Sequence, residues 1–244
     1  MRKRALWQGL RREPADGGPA RAVGRFVARR RRAPALHPDG LNCSGELTVL
    51  GSAHRAWGVA LLDEPGTYRV TARWSRALGL PERLPDGFGL ALRVEDASGP
   101  GRPWDLLLTT SGAGRLLRHV PLPRRHPLRG PYGTLTAYRV GRRTCWLAAV
   151  PRGPHPSVRG GLGALRRHLA RTDVVLDLCV AARGQPWRPV GVVTLSARLP
   201  WTGTSPGYDP YARSAPGLRP SDRLRALRQE AYGGSREGRA GKDG

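Results

Sequence analysis

Lysine is almost missing from this 244-residue chain: only Lys3 and Lys242 carry it, and every other fixed positive side-chain charge is arginine. The formal net charge of +24 invites a nucleic-acid partner. What is absent argues against one. The arginines are scattered rather than gathered into a stripe, and no RNP, GxxG or zinc-finger pattern stands where a recognised nucleic-acid fold needs it. Charge alone then implies weak attraction to anionic polymers and no specific nucleic-acid site. Cysteine is scarce as well. Cys43, Cys145 and Cys179 are odd in number, far apart and free of metal-ligand spacing, which argues against a disulfide framework. They read as buried thiols of a cytoplasmic protein. No apolar run approaches the ~18–20 residues of a membrane helix, so no transmembrane segment is expected. No signal-peptide core follows the basic start Met1-Arg2-Lys3-Arg4, and a cytoplasmic location is the expectation.

What is there changes character along the chain. Residues 1–35 form a basic, partly helical extension, in which Val23, Phe26 and Val27 make an apolar stripe among arginines. From residue 40 the apolar period becomes two. Tyr68, Val70, Ala72 and Trp74 alternate with Arg69, Thr71, Arg73 and Ser75, the pattern of a half-buried strand. Further strands are expected at Glu46 to Leu50, Phe88 to Val94, Trp104 to Thr110, Thr134 to Val140, Thr144 to Val150, Val174 to Ala182 and Val190 to Leu199, separated by Gly/Pro-rich turns. A helix is expected from Gly161 to Thr172, and a last one after Pro220, with Ser221 as its N-cap and Leu224, Leu227 and Ala231 as its apolar stripe. About eight strands with short turns read as a closed antiparallel barrel or a sandwich.

On that last helix Arg228 and Tyr232 are four residues apart and share a face. A guanidinium beside a phenol favours the phenolate, and phenolate is a hard oxygen ligand for ferric iron, as in the catalases. The plain alternative is a solvated arginine lying over a tyrosine ring. Around the pair stand Tyr208-Asp209-Pro210, Pro216-Gly217-Leu218-Arg219-Pro220-Ser221-Asp222 and Ala231-Tyr232. Together they resemble the C-terminal signature of the haem-dependent catalase-like superfamily, where a Phe-Asp-Pro segment leads through Pro-Gly-Ile to the helix bearing the proximal tyrosine and its arginine. Tyr208 replaces the usual Phe and Leu218 the usual Ile.

Upstream segments resemble the same family in the same order. Leu36-His37-Pro38-Asp39-Gly40 with Gly45-Glu46-Leu47-Thr48 is similar to the segment carrying the distal histidine. Val70-Thr71-Ala72-Arg73-Trp74-Ser75 is similar to the strand whose arginine meets a haem propionate, and Arg73 and Ser75 share a strand face. Asp86 to Val94, Trp104 to Leu108 and Tyr132-Gly133-Thr134 resemble the strands that follow.

The resemblance implies an α+β, predominantly β fold: a closed antiparallel catalase-like β-barrel with a few flanking helices over residues 36–239, and a disordered tail at 240–244. It implies haem b as cofactor, Tyr232 as the iron ligand, Arg228 as its partner, Arg73 and Ser75 at the cofactor, and His37 as distal acid/base. The family's distal asparagine falls here on Thr109 or Thr110, with Thr109 taken as the site residue. Pro34 stands in place of an arginine, and Ser111-Gly112-Ala113-Gly114 in place of aromatics. A threonine hydroxyl cannot reproduce an amide's donor geometry. These departures imply peroxidase-type chemistry on hydrogen peroxide or an organic hydroperoxide with a small reducing substrate, rather than fast catalase turnover. A homo-oligomer is compatible with this reading. His54, His119, His126, His155 and His168 gain no support, and none pairs at zinc spacing. The alternative is a haem-free barrel used as a phosphodiesterase-type hydrolase or a binding module, since fold does not fix function.

Overall fold

A computed structural model describes residues 40–52, 56–77, 84–153, 158, 160–198 and 205–221. His37, Arg228, Tyr232 and the expected helices over 20–32 and beyond Ser221 lie outside the described residues.

Alternation decides which strand face goes inside. In β1 (Leu41–Val49) Leu41, Cys43, Leu47 and Val49 are buried while Ser44, Glu46 and Thr48 are exposed. β2 (Gly66–Arg76) buries Val70, Ala72 and Trp74, β3 (Phe88–Val94) buries Phe88, Leu90, Leu92 and Val94, and β4 (Trp104–Thr110) buries Trp104, Leu106 and Leu108 on the matching face. The chain continues through β5 (Tyr132–Gly133), β6 (Tyr138–Val140), β7 (Arg143–Pro151), β8 (Val174–Ala182), β9 (Arg188–Ser196) and β10 (Leu218–Pro220). All strand pairs are antiparallel. The order β7-β5-β4-β3-β2-β1-β9-β8 returns to β7 through the β7–β8 pairing, so eight strands close a barrel, with β6 and β10 added along β7. Closure leaves no exposed ladder on that ring.

The interior is filled by the inward rows, with Trp74, Trp104, Phe88 and Tyr132 among the largest fully buried side chains. Each large apolar side chain taken out of water contributes about 1.5–3 kcal/mol, so these rows dominate the stability. The thiols share this environment: burial pushes Cys43 and Cys179 up to about 12 and Cys145 up to about 11. They therefore stay protonated, in agreement with the reading of buried thiols. Gly45 interrupts the inward row of β1 because the neighbouring strand comes close. A Cβ there would stand 1.9 Å from the Thr194 carbonyl oxygen of β9.

Among the described residues, two short α-helices flank the barrel. α1 (Ala60–Asp63) buries Leu61 and Leu62. α2 (Leu162–Leu169) packs Leu162, Leu165 and Leu169 inward and leaves Arg166 and Arg167 in solvent, where they also favour the negative end of the helix dipole. Among the described residues no helix is long and apolar enough to cross a membrane.

Of the expected strand Thr134 to Val140 only Tyr138–Val140 forms, as β6, while β5 ends just before it at Gly133. Thr134 and Thr136 bond each other's carbonyls at 2.8 and 3.2 Å, and Leu135 between them takes φ 56°, which no strand accommodates. β10 falls where the Pro-rich run suggested a turn. Its Pro220 faces Tyr138, while the next residue's N–H donates to Ala137 at 3.0 Å. Proline thus occupies a position of this edge strand where no ladder donor is required.

Candidate functional site

The same strands that fill the barrel turn a second face outward, and its composition differs. Antiparallel register aligns Ser75 with Gly89, Gly89 with Thr109, and Thr109 with Gly133. One step along, Asn42, Arg73, Ala91 and Leu107 form a second row. A third comprises Ser44, Thr71, Arg93 and Asp105. Neighbouring strands lie about 4.8 Å apart, so the first two rows make a shallow floor of glycine, alanine and leucine edged by Arg73, Ser75 and Thr109.

Arg73 is the cation of this floor. Its Nη1 donates to Ser205 Oγ at 2.9 Å, and that hydroxyl donates to Asn42 Oδ1 at 3.2 Å. Its guanidinium lies over Gly40, where a Cβ would meet Cζ at 2.3 Å. Any other residue at position 40 would displace it. Gly40 is the last residue of the segment Leu36-His37-Pro38-Asp39-Gly40 and the only one of it among the described residues. Ser75 is half-buried on the same face.

The two threonines separate by period. Thr110 belongs to the inward row, and its Oγ1 accepts from the Phe88 N–H at 3.2 Å. Thr109 stands on the outer face, 8 % exposed, and its hydroxyl donates to the Phe88 carbonyl at 3.2 Å. With its hydrogen committed there, Thr109 offers the face an acceptor rather than a donor.

A network absent from the sequence reading holds a lid segment over the third row. Asp105 is fully buried and forks with Arg93 at 2.7 and 2.8 Å. Its Oδ2 also accepts the Asp209 N–H at 2.7 Å. Arg93 donates to the Gly207 carbonyl at 2.8 Å and lies 5.4 Å from the centre of the Tyr208 ring. Asp209 in turn accepts from the N–H groups of Tyr211 and Ala212 at 2.9 and 3.2 Å. The Tyr208-Asp209-Pro210 step is thus latched to β3 and β4. The Asp105 hydrogen bonds hold the Arg93 guanidinium above even its ordinary basicity. The signal was in the sequence: a carboxylate in an apolar strand needs a partner, and Arg93 is its cross-strand neighbour. The Tyr208 phenol oxygen is buried without a hydrogen-bond partner among the described residues. Burial pushes its pKa up, against the pull of Arg93 and Arg73, so it stays a neutral donor.

No protein-family model matches the chain, and no curated protein matches it in sequence. Solved structures do. A bacterial catalase superposes with a TM-score of 0.57 over 86 % of this chain and 58 % of its own, at 13 % identity. A fungal catalase gives 0.55 over 91 % and 63 %, at 12 % identity. The barrel has a catalase-like fold. The likeness at these identities concerns the fold alone, and the chain spans less than two thirds of the length of either catalase. Within this catalase-like barrel, Arg73, Ser75 and Thr109 come together on one outer face.

Proposed function

We propose that this chain binds haem b on the outer face of β2, β3 and β4 and uses it for peroxidase-type oxidation of a small reducing substrate by hydrogen peroxide or an organic hydroperoxide. The observation that carries the reading is the convergence of Arg73, Ser75 and Thr109 on a floor of Gly89, Ala91 and Leu107 in a catalase-like barrel.

The residues present fit such a group. A flat apolar body suits the small-residue floor, and an acidic edge suits Arg73. The orphaned Tyr208 phenol, in the field of Arg73 and Arg93, supplies a second donor for a propionate. Tyr232 is the residue that would ligate the iron, with Arg228 favouring its phenolate. Bound there, haem would supply the redox chemistry. His37 would take the first peroxide proton as general base, and Thr109, whose hydroxyl donates its hydrogen bond to the Phe88 carbonyl, would assist only as an acceptor. A distal side so furnished supports slow peroxide use and not fast dismutation.

Haem titration tests the reading. Purified protein is expected to develop a Soret band that Tyr232→Phe shifts or removes. Absence of any haem uptake, with phosphodiester turnover in the haem-free protein, would replace it with the scaffold alternative.

A further inference from the structure

Away from the proposed cofactor face, β6 and β10 carry a feature that strand pairing alone does not explain. Each is a three-residue strand with a buried-exposed-buried pattern, so its central side chain points to solvent. Those central residues are Arg139 and Arg219, and the register sets them directly opposite one another. Residues so placed have Cβ atoms about 5 Å apart, and like charges there repel. Among the described residues neither guanidinium has a carboxylate, carbonyl or aromatic partner.

The two arginines flank a hollow of about 360 Å³ that also takes in Ser214, Gly141 and Gly217 and, among the described residues, has no acidic lining residue. Gly141 and Gly217 adopt φ 54° and 73°, and the Gly141 N–H donates to the Gly217 carbonyl at 2.7 Å. This bond joins the two turns beside the arginine pair. A Cβ on Gly141 would stand 2.2 Å from the Trp57 carbonyl oxygen, so the close approach of that backbone confines this position to glycine. Ser214 adds a half-buried hydroxyl.

We propose that this hollow binds the phosphate group of a phosphomonoester. Two uncompensated guanidiniums call for a dianion. One carboxylate is satisfied by a single arginine fork, and a phosphodiester carries a single charge. A phosphomonoester carries about −1.5 to −2 charges and three acceptor oxygens, enough for both forks and the Ser214 hydroxyl. Binding removes the repulsion that the empty pair maintains.

The test uses the full chain and inorganic phosphate as probe, with acetate and chloride at matched ionic strength as comparisons. Calorimetric titration is expected to give saturable phosphate binding that acetate and chloride do not reproduce. Loss of one charge-assisted fork in Arg139→Gln or Arg219→Gln should weaken it about tenfold or more. Without phosphate, each variant should unfold at the parent's temperature or slightly above it, because repulsion is relieved; damage to the strands would lower it. Arg167→Gln, on the solvent side of α2, should bind as the parent does. The proposal is overturned by phosphate effects no larger than chloride's, by losses under about fivefold in both variants, or by an equal loss in Arg167→Gln.

Discussion

The inner and outer faces of β2, β3 and β4 are made by alternate residues of the same strands, yet they obey different rules. Inside, Val70, Ala72, Trp74, Leu90, Leu92, Leu106 and Leu108 are buried and interchangeable in kind: apolar and of fitting volume. Outside, Arg73, Ser75, Arg93, Asp105 and Thr109 are specific in kind, each defined by what it bonds or what it leaves free. A strand can therefore specify the barrel with one face and a site with the other. Damage to the two faces should be separable.

The largest effect belongs to the interior. Trp74→Ala removes a fully buried indole and should cost about 3–5 kcal/mol in denaturant unfolding. Asp105→Asn attacks the seam between the faces. It leaves the Arg93 guanidinium with a neutral partner and should cost about 2–3 kcal/mol, while limited proteolysis near Gly207 becomes faster because the lid segment loses its latch. A loss below ~0.5 kcal/mol would mean the segment is held by other contacts. On the outer face, Arg73→Gln loses a part-buried charge-assisted bond to Ser205 and should cost about 1.5 kcal/mol, well short of the interior loss, so cofactor uptake is compared on folded proteins.

The smallest expected change is set by pH. Burial pushes Asp63 up, but the N–H groups of Trp57, Val59 and Gly58 and the Ser52 side chain outweigh it and hold the carboxyl below its ordinary value. A carboxylate lowered on folding contributes fully above its unfolded pKa, and the contribution fades as pH falls through the lower folded value. Asp63→Asn should therefore flatten the acid limb of the stability curve and leave the neutral region parallel to the parent's. An unchanged acid limb would remove Asp63 from the account.

How much of this was legible in the sequence follows the same division. Phe88–Val94, Trp104–Thr110 and Val174–Ala182 are strands at the expected bounds, because their apolar alternation or run is bounded by strong turn residues. The split at Leu135 was not legible, since Thr134 to Val140 carries β-favouring residues and only a local pair of threonine bonds breaks it. β10 was hidden by Pro220 and by the Pro216-Gly217 step before it. The common face of Arg73 and Ser75 followed from spacing alone, and register extended it to Thr109. The roles of Asn42 and Ser205 depend on contacts between residues far apart in the chain, which no local pattern encodes. Arg139 and Arg219 were likewise invisible as a pair until register set them opposite each other.

The central claim is that the outer face around Arg73 is a cofactor site. Haem titration of the parent and Arg73→Gln, followed at the Soret band alongside unfolding of both proteins, tests it most directly. The expected result is haem uptake by the parent, weakened about tenfold or more in Arg73→Gln through loss of a charge-assisted bond, with both proteins still unfolding cooperatively. Equal uptake by both proteins, or none by either, would contradict it.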